Sequence, residues 1–121
     1  MTTLIIGASH KPQRFAFKAL EALTLHQHNV LLFSPRGGEI AGLPVYRRLS
    51  DIHEPIDTVT LYVNPARLIP LLDDIIALSP RRVIFNPGTE SAEAVARFSQ
   101  SGIISIEDCT LIMLREFYYQ T

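Results

Sequence analysis

A chain of 121 residues, 47% hydrophobic and 19% charged, is long enough to bury a core without staples and has the composition of an ordinary globule. Its formal net charge of −1 excludes the strongly basic profile of a general nucleic-acid binder. Its one cysteine, Cys109, excludes an internal disulfide framework and leans towards a reducing compartment.

No apolar run approaches the ~20 residues of a membrane span. The first strand signal begins two residues after Met1 and leaves no room for a signal or transit peptide. The expectation is a single cytoplasmic domain over residues 1–121.

Six short apolar runs alternate with helical or loop segments. Residues 3–7 form a β-branched run that breaks at Gly7. Residues 8–11 (Ala8, Ser9, His10, Lys11) make a turn, and a helix is predicted over 12–28, with Pro12 in its first turn and Phe15, Ala16, Ala19, Leu20 and Leu23 on one face. Residues 29–33 form the second strand, stopped by the turn cluster Ser34, Pro35, Arg36, Gly37 and Gly38. Pro44 marks residues 44–47 as a short edge strand, the third, since proline is tolerated at a sheet edge. A single helical turn at 50–54 precedes the fourth strand, 57–63.

Asn64 as N-cap and Pro65 as first helical residue open a helix predicted over 65–78. The fifth strand is 81–85, followed by the turn Asn86-Pro87-Gly88. A third helix starts near Thr89 or Ser91, with Glu90 and Glu93 suited to its dipole, and stops at Gly102. The sixth strand is 103–106. An amphipathic segment, 108–119, carries Leu111, Leu114, Phe117 and Tyr118 on one side.

This alternation predicts an α/β, three-layer Rossmann-like fold with a mostly parallel sheet in the order 3-2-1-4-5-6. Ligands of such sheets bind outside the carboxyl ends of the strands, where the strand order reverses. Four loops end there. Gly7, Ala8, Ser9, His10, Lys11, Pro12 and Arg14 form the first, a strand-turn-helix layout suited to a phosphate at a helix N-terminus, though it lacks the full G-x-G-x-x-G.

In the second loop (Ser34, Pro35, Arg36) the end of the second strand has no acid until Glu39. An arginine there suits a phosphate on the ribose and points away from NAD, towards NADP or coenzyme A. Tyr62, Asn64 and Pro65 form the third loop, and Asn86, Pro87 and Gly88 the fourth; both pairs of Asn-Pro also serve simply as strand-to-helix exits.

Catalytic constellations are scarce. His10, His26, His28 and His53 have no nucleophile or carboxylate partner in sequence, Cys109 has no paired base, and no metal-ligand spacing occurs. Glu107-Asp108 reads as a helix cap. The reading therefore names no catalytic and no metal residues and leans away from an enzyme.

The order and spacing of Ile5-Ile6-Gly7-Ala8-Ser9, of Ser34-Pro35-Arg36-Gly37-Gly38 followed by Gly42-Leu43-Pro44-Val45-Tyr46, and of the loops Tyr62-Val63-Asn64-Pro65, Asn86-Pro87-Gly88 and Asp108-Cys109 resemble the small bacterial CoA-binding-domain proteins. These are similar in turn to the CoA-binding domain of the succinyl-CoA synthetase alpha subunit. The resemblance implies coenzyme A or acyl-CoA as ligand, with Ser9, His10, Lys11 and Pro12 flanking its pyrophosphate, Arg36 near the adenosine end and residues 86–88 near the pantetheine path.

The phospho-histidine domain of the synthetase has no counterpart here, so its ligase activity is not carried over. The functions left open are a non-catalytic or regulatory CoA-binding module, an NADP-binding oxidoreductase-like domain, and a ligand-sensing module. The last would form a homodimer or meet a protein partner through the stretch between Leu111 and Tyr119. No nucleic-acid or membrane partner is expected.

Overall fold

The structure is a computed structural model that describes residues 1–120. Its strands are β1 (Thr2–Ile6), β2 (Asn29–Phe33), β3 (Glu39–Ile40), β4 (Leu43–Tyr46), β5 (Thr58–Leu61), β6 (Arg82–Phe85) and β7 (Ile104–Glu107). The helices are α1 (Phe15–Leu25), α2 (Pro65–Leu68), α3 (Leu72–Ala77), α4 (Ala92–Gln100) and α5 (Thr110–Arg115). The sheet order is β3-β4-β2-β1-β5-β6-β7.

Removing β3 leaves the predicted order 3-2-1-4-5-6, all of it parallel. The addition is β3, which pairs antiparallel with β4 and takes the sheet edge from it. Two residues are too few to show a period of two, which is why the sequence gives no signal for it.

The strands sort their side chains by alternation. Leu4 and Ile6 of β1, with Val59, Leu61, Val83 and Phe85, pack under α3 and α4. Ile5, Val30, Leu32 and Ile84 face the other way, against α1 and α5. Three layers and two cores result, and the central strands are buried on both faces, β1 through the apolar run Leu4-Ile5-Ile6 and β5 with Thr58 and Thr60 buried beside Val59 and Leu61.

Several predicted boundaries change, the first helix ending at Leu25 and not at His28, because Gln27 takes a positive φ of 64°. The first helix does not start at Pro12: the Arg14 amide donates to the Lys11 carbonyl (3.0 Å), which makes residues 11–14 a turn, and α1 begins at Phe15. Proline suits the second position of a turn as well as the first of a helix, and the turn wins here. Pro70 breaks the helix predicted over 65–78 into α2, a 3₁₀ turn over Ile69–Leu71, and α3, because it has no N–H to continue the ladder.

The terminal segment forms helix only over Thr110–Arg115. Phe117 then takes a positive φ of 61° and lies 86% exposed, while Leu114 and Tyr119 are buried against α1. Phe117 therefore leaves the apolar side it was expected to share. Among the described residues no helix is long and apolar enough to cross a membrane.

Candidate functional site

A cleft of about 1080 Å³ opens over the carboxyl ends of β1, β2 and β5, where the strand order reverses. Gly7, Ala8, Ser9, His10, Lys11 and Arg14 line it from the first loop, Ser34, Pro35 and Arg36 from the second, and Tyr62 and Asn64 from the third. Pro12 and Pro65 lie outside the lining, one in the 11–14 turn and one at the first position of α2. Asn86, Pro87 and Gly88 also lie outside it.

Gly7 turns the chain tightly at the end of β1, with φ at +91°. Its amide and that of Ala8 both donate to the Phe33 carbonyl (3.1 and 3.0 Å), so neither is free for an anion. A Cβ at Gly7 would sit 2.5 Å from the Tyr62 carbonyl oxygen. The glycine lets the first loop pass against the end of β5, and this close approach shapes the cleft floor.

The donors that remain are further along. The Ser9 hydroxyl oxygen accepts from the Lys11 amide (3.2 Å), which folds the loop tip and leaves the hydroxyl proton available. Arg14 stands in the extended N-cap position of α1 and supplies no side-chain cap. The Lys18 amide is the one that reaches back to the Arg14 carbonyl (3.1 Å), so the first-turn amides of residues 15–17 have no capping side chain, at a helix start where Arg14, Phe15 and Ala16 line the cleft.

On the second loop, Gly37 donates to the Ser34 carbonyl (3.0 Å) and closes a turn with Pro35 and Arg36 at its corner. The Arg36 amide also reaches the Ser34 Oγ (3.3 Å). Asn64 caps α2 as its sequence predicts, its Oδ1 accepting from the Arg67 amide (2.9 Å) with Pro65 at the first helical position.

Electrostatics single the cleft out. Lys11, Arg14, Arg36 and Arg67 line it against one carboxylate, that of Glu39. Among the described residues the ion pairs are Arg81 with Asp57 and Arg97 with Asp73, both outside the lining. Four cations thus share a cleft with no acidic partner in contact, a field suited to a polyanion.

Beneath the cleft lies a buried polar network. The Asn86 amide donates to Thr60 Oγ1 (2.7 Å) and to the Leu61 carbonyl (2.9 Å), while its Oδ1 accepts from the Thr110 amide (2.9 Å). Thr60 and Thr110 share a hydrogen bond (2.8 Å). Asn86 is 2% exposed, so its amide holds β5, β6 and the start of α5 together instead of facing a ligand. Burial pushes the hydroxyl of Tyr62 up to about 12, against the opposing influence of the Thr60 and Thr110 hydroxyls.

Pro87 lines a separate, smaller hollow of about 350 Å³ with Glu107, Asp108 and Cys109. There the Asp108 Oδ1 accepts from the Cys109 amide (2.7 Å) and from the Tyr118 hydroxyl (3.2 Å). The aspartate bonds to residues outside α5, and the first amide of that helix is satisfied by Asn86, so Asp108 is not the helix cap it was read as.

Phe15, Arg67, Pro70 and Leu71, outside the four predicted loop sets, also line the cleft. Arg67 carried a usable signal, since it lies three residues after an N-cap at the switch point. Pro70 and Leu71 come into the lining through the helix break, which the proline itself announces.

A family model described as a CoA binding domain matches residues 1–115. Among solved structures, an uncharacterized protein is 37% identical with a TM-score of 0.87, with 98% of this chain and 97% of that chain covered. Cell-free ID.343 from Thermus thermophilus is 27% identical with a TM-score of 0.89, covering 98% and 90%. A dinucleotide-forming acetyl-coenzyme A synthetase 1 of Ca. Korarchaeum cryptofilum, solved with phosphate and ADP, is 19% identical with a TM-score of 0.75. It shares the fold over 88% of this chain and 25% of its own. By the match over nearly its whole length, the chain belongs to the CoA-binding domain family.

Proposed function

We propose that this chain binds coenzyme A, free or acylated, in the cleft over β1, β2 and β5, and that it acts by binding instead of turning its ligand over. The observation that carries the reading is the set of cations Lys11, Arg14, Arg36 and Arg67 around the uncapped start of α1, with no carboxylate in contact. Coenzyme A brings a pyrophosphate and a ribose phosphate to such a field. In this reading the first-turn amides of α1, the Ser9 hydroxyl and Lys11 take the pyrophosphate. Arg36, on the loop after β2, takes the phosphate on the ribose. The cleft volume of about 1080 Å³ exceeds what a small metabolite needs.

NADP is the competing ligand, because the same Arg36 suits its ribose phosphate. Titration calorimetry with coenzyme A, dephospho-coenzyme A and NADP separates the readings. Coenzyme A should bind, and dephospho-coenzyme A should bind about tenfold more weakly for want of the phosphate on Arg36. Heat from NADP with coenzyme A silent at millimolar concentration would reverse the assignment.

A further inference from the structure

Phe15 is 65% exposed although it opens a helix whose next residue, Ala16, is buried. An aromatic ring left in water forfeits burial, so its position asks for a partner. The ring lines the cleft. The Lys18 ammonium, one turn on, lies 5.4 Å from its centroid, in the geometry of a cation on an aromatic ring.

The wall on which Phe15 stands is defined by its neighbours. Ala16 belongs to the same apolar cluster as Ile40 of β3, and both line the cleft. The loop that carries Arg36 runs directly into β3. The start of α1, Arg36 and Ile40 of β3 thus all border the cleft, next to the groups proposed above to hold the phosphates. Phe15 is the exposed aromatic ring on that wall. Val63, Ala66, Pro70 and Leu71 line the cleft from the segment after β5, and none of them is aromatic.

We infer that Phe15 is the stacking platform for the nucleobase of the bound ligand, and so favours ligands that carry a base over those that lack one. The inference rests on the function proposed above. Stacking on an aromatic ring contributes through the π-face of the base and needs no hydrogen-bond readout.

The test compares three ligands, coenzyme A, adenosine 3′,5′-bisphosphate and 4′-phosphopantetheine, on the wild type, Phe15→Ala and Phe15→Trp. Phe15→Ala should weaken coenzyme A and adenosine 3′,5′-bisphosphate by about tenfold each and leave 4′-phosphopantetheine unchanged. Phe15→Trp should retain affinity, with its fluorescence quenched by adenosine 3′,5′-bisphosphate. An unchanged affinity for adenosine 3′,5′-bisphosphate in Phe15→Ala, or an equal loss for 4′-phosphopantetheine, overturns the stacking role while the proposed ligand stands. Silence of the wild type towards coenzyme A overturns both. The ring is exposed and alanine is the best helix former, so the variant keeps the fold that the comparison needs.

Discussion

At the scale of residues, the cleft depends on one backbone contact. Gly7 passes so close to Tyr62 that any Cβ would strike its carbonyl oxygen at 2.5 Å, in a backbone region that side chains rarely adopt. Gly7→Ala should therefore cost about 2 kcal/mol or more in urea unfolding and weaken ligand binding with it, since the floor of the cleft must shift. A variant with an unchanged midpoint would show that the close approach is not needed.

The cationic residues were legible by position. Lys11, Arg14 and Arg36 follow strand ends that the alternation pattern locates, and Asn64-Pro65 announces its helix. Asn86 was legible as a residue of the switch region, but not the direction of its side chain. Its neighbours Thr60 and Thr110 lie 26 and 24 positions away, and their convergence is a product of the sheet register.

At the scale of elements, helix ends show what sequence can specify. α4 starts at Ser91, whose Oγ accepts from the Ala94 amide (3.2 Å). It closes with Ile103 donating to the Phe98 carbonyl (2.9 Å) and Gly102 to the Ser99 carbonyl (3.1 Å), the Schellman pattern. Both ends were readable, from Ser91 and from Gly102. No atom lies within 4 Å of a Cβ built at Gly102, where φ is +75°. Gly102→Ala should thus cost only the conformational penalty, about 1 kcal/mol by urea titration at unchanged slope, less than Gly7→Ala.

α1 was harder to bound. No side chain caps it, and Pro12 satisfies a turn and a helix start equally well, so only the fold decides between them. β3 was not readable at all: its two residues pair because Gly42 and its neighbours turn the chain back onto β4.

At the scale of the whole molecule, the two ends of the chain meet away from the cleft. The Tyr119 hydroxyl shares a 2.7 Å hydrogen bond with Thr3 Oγ1, and both residues are buried. The Arg82 guanidinium lies 4.6 Å from the Tyr119 ring centroid, donates through Nε to Thr58 Oγ1 (2.8 Å) and through Nη2 to the Tyr119 carbonyl. Burial holds the Arg82 guanidinium below its usual range, so losing the Tyr119 ring that covers it would open a cavity beside a buried charge. Tyr119→Ala should cost about 3 kcal/mol or more in unfolding free energy. The folded variant should keep its ligand affinity, because Tyr119 does not line the cleft. Loss of affinity without loss of stability would contradict this separation of latch and site.

The central claim is that a cluster of cations without carboxylate contacts makes this cleft a coenzyme A site. The most direct measurement is the calorimetric titration of coenzyme A into the wild type, Arg36→Ala and Arg67→Ala, each first shown to unfold at the wild-type urea midpoint. The account predicts binding to the wild type and an affinity lower by about tenfold or more in each variant. No heat from the wild type, or equal affinity in all three proteins, would contradict it.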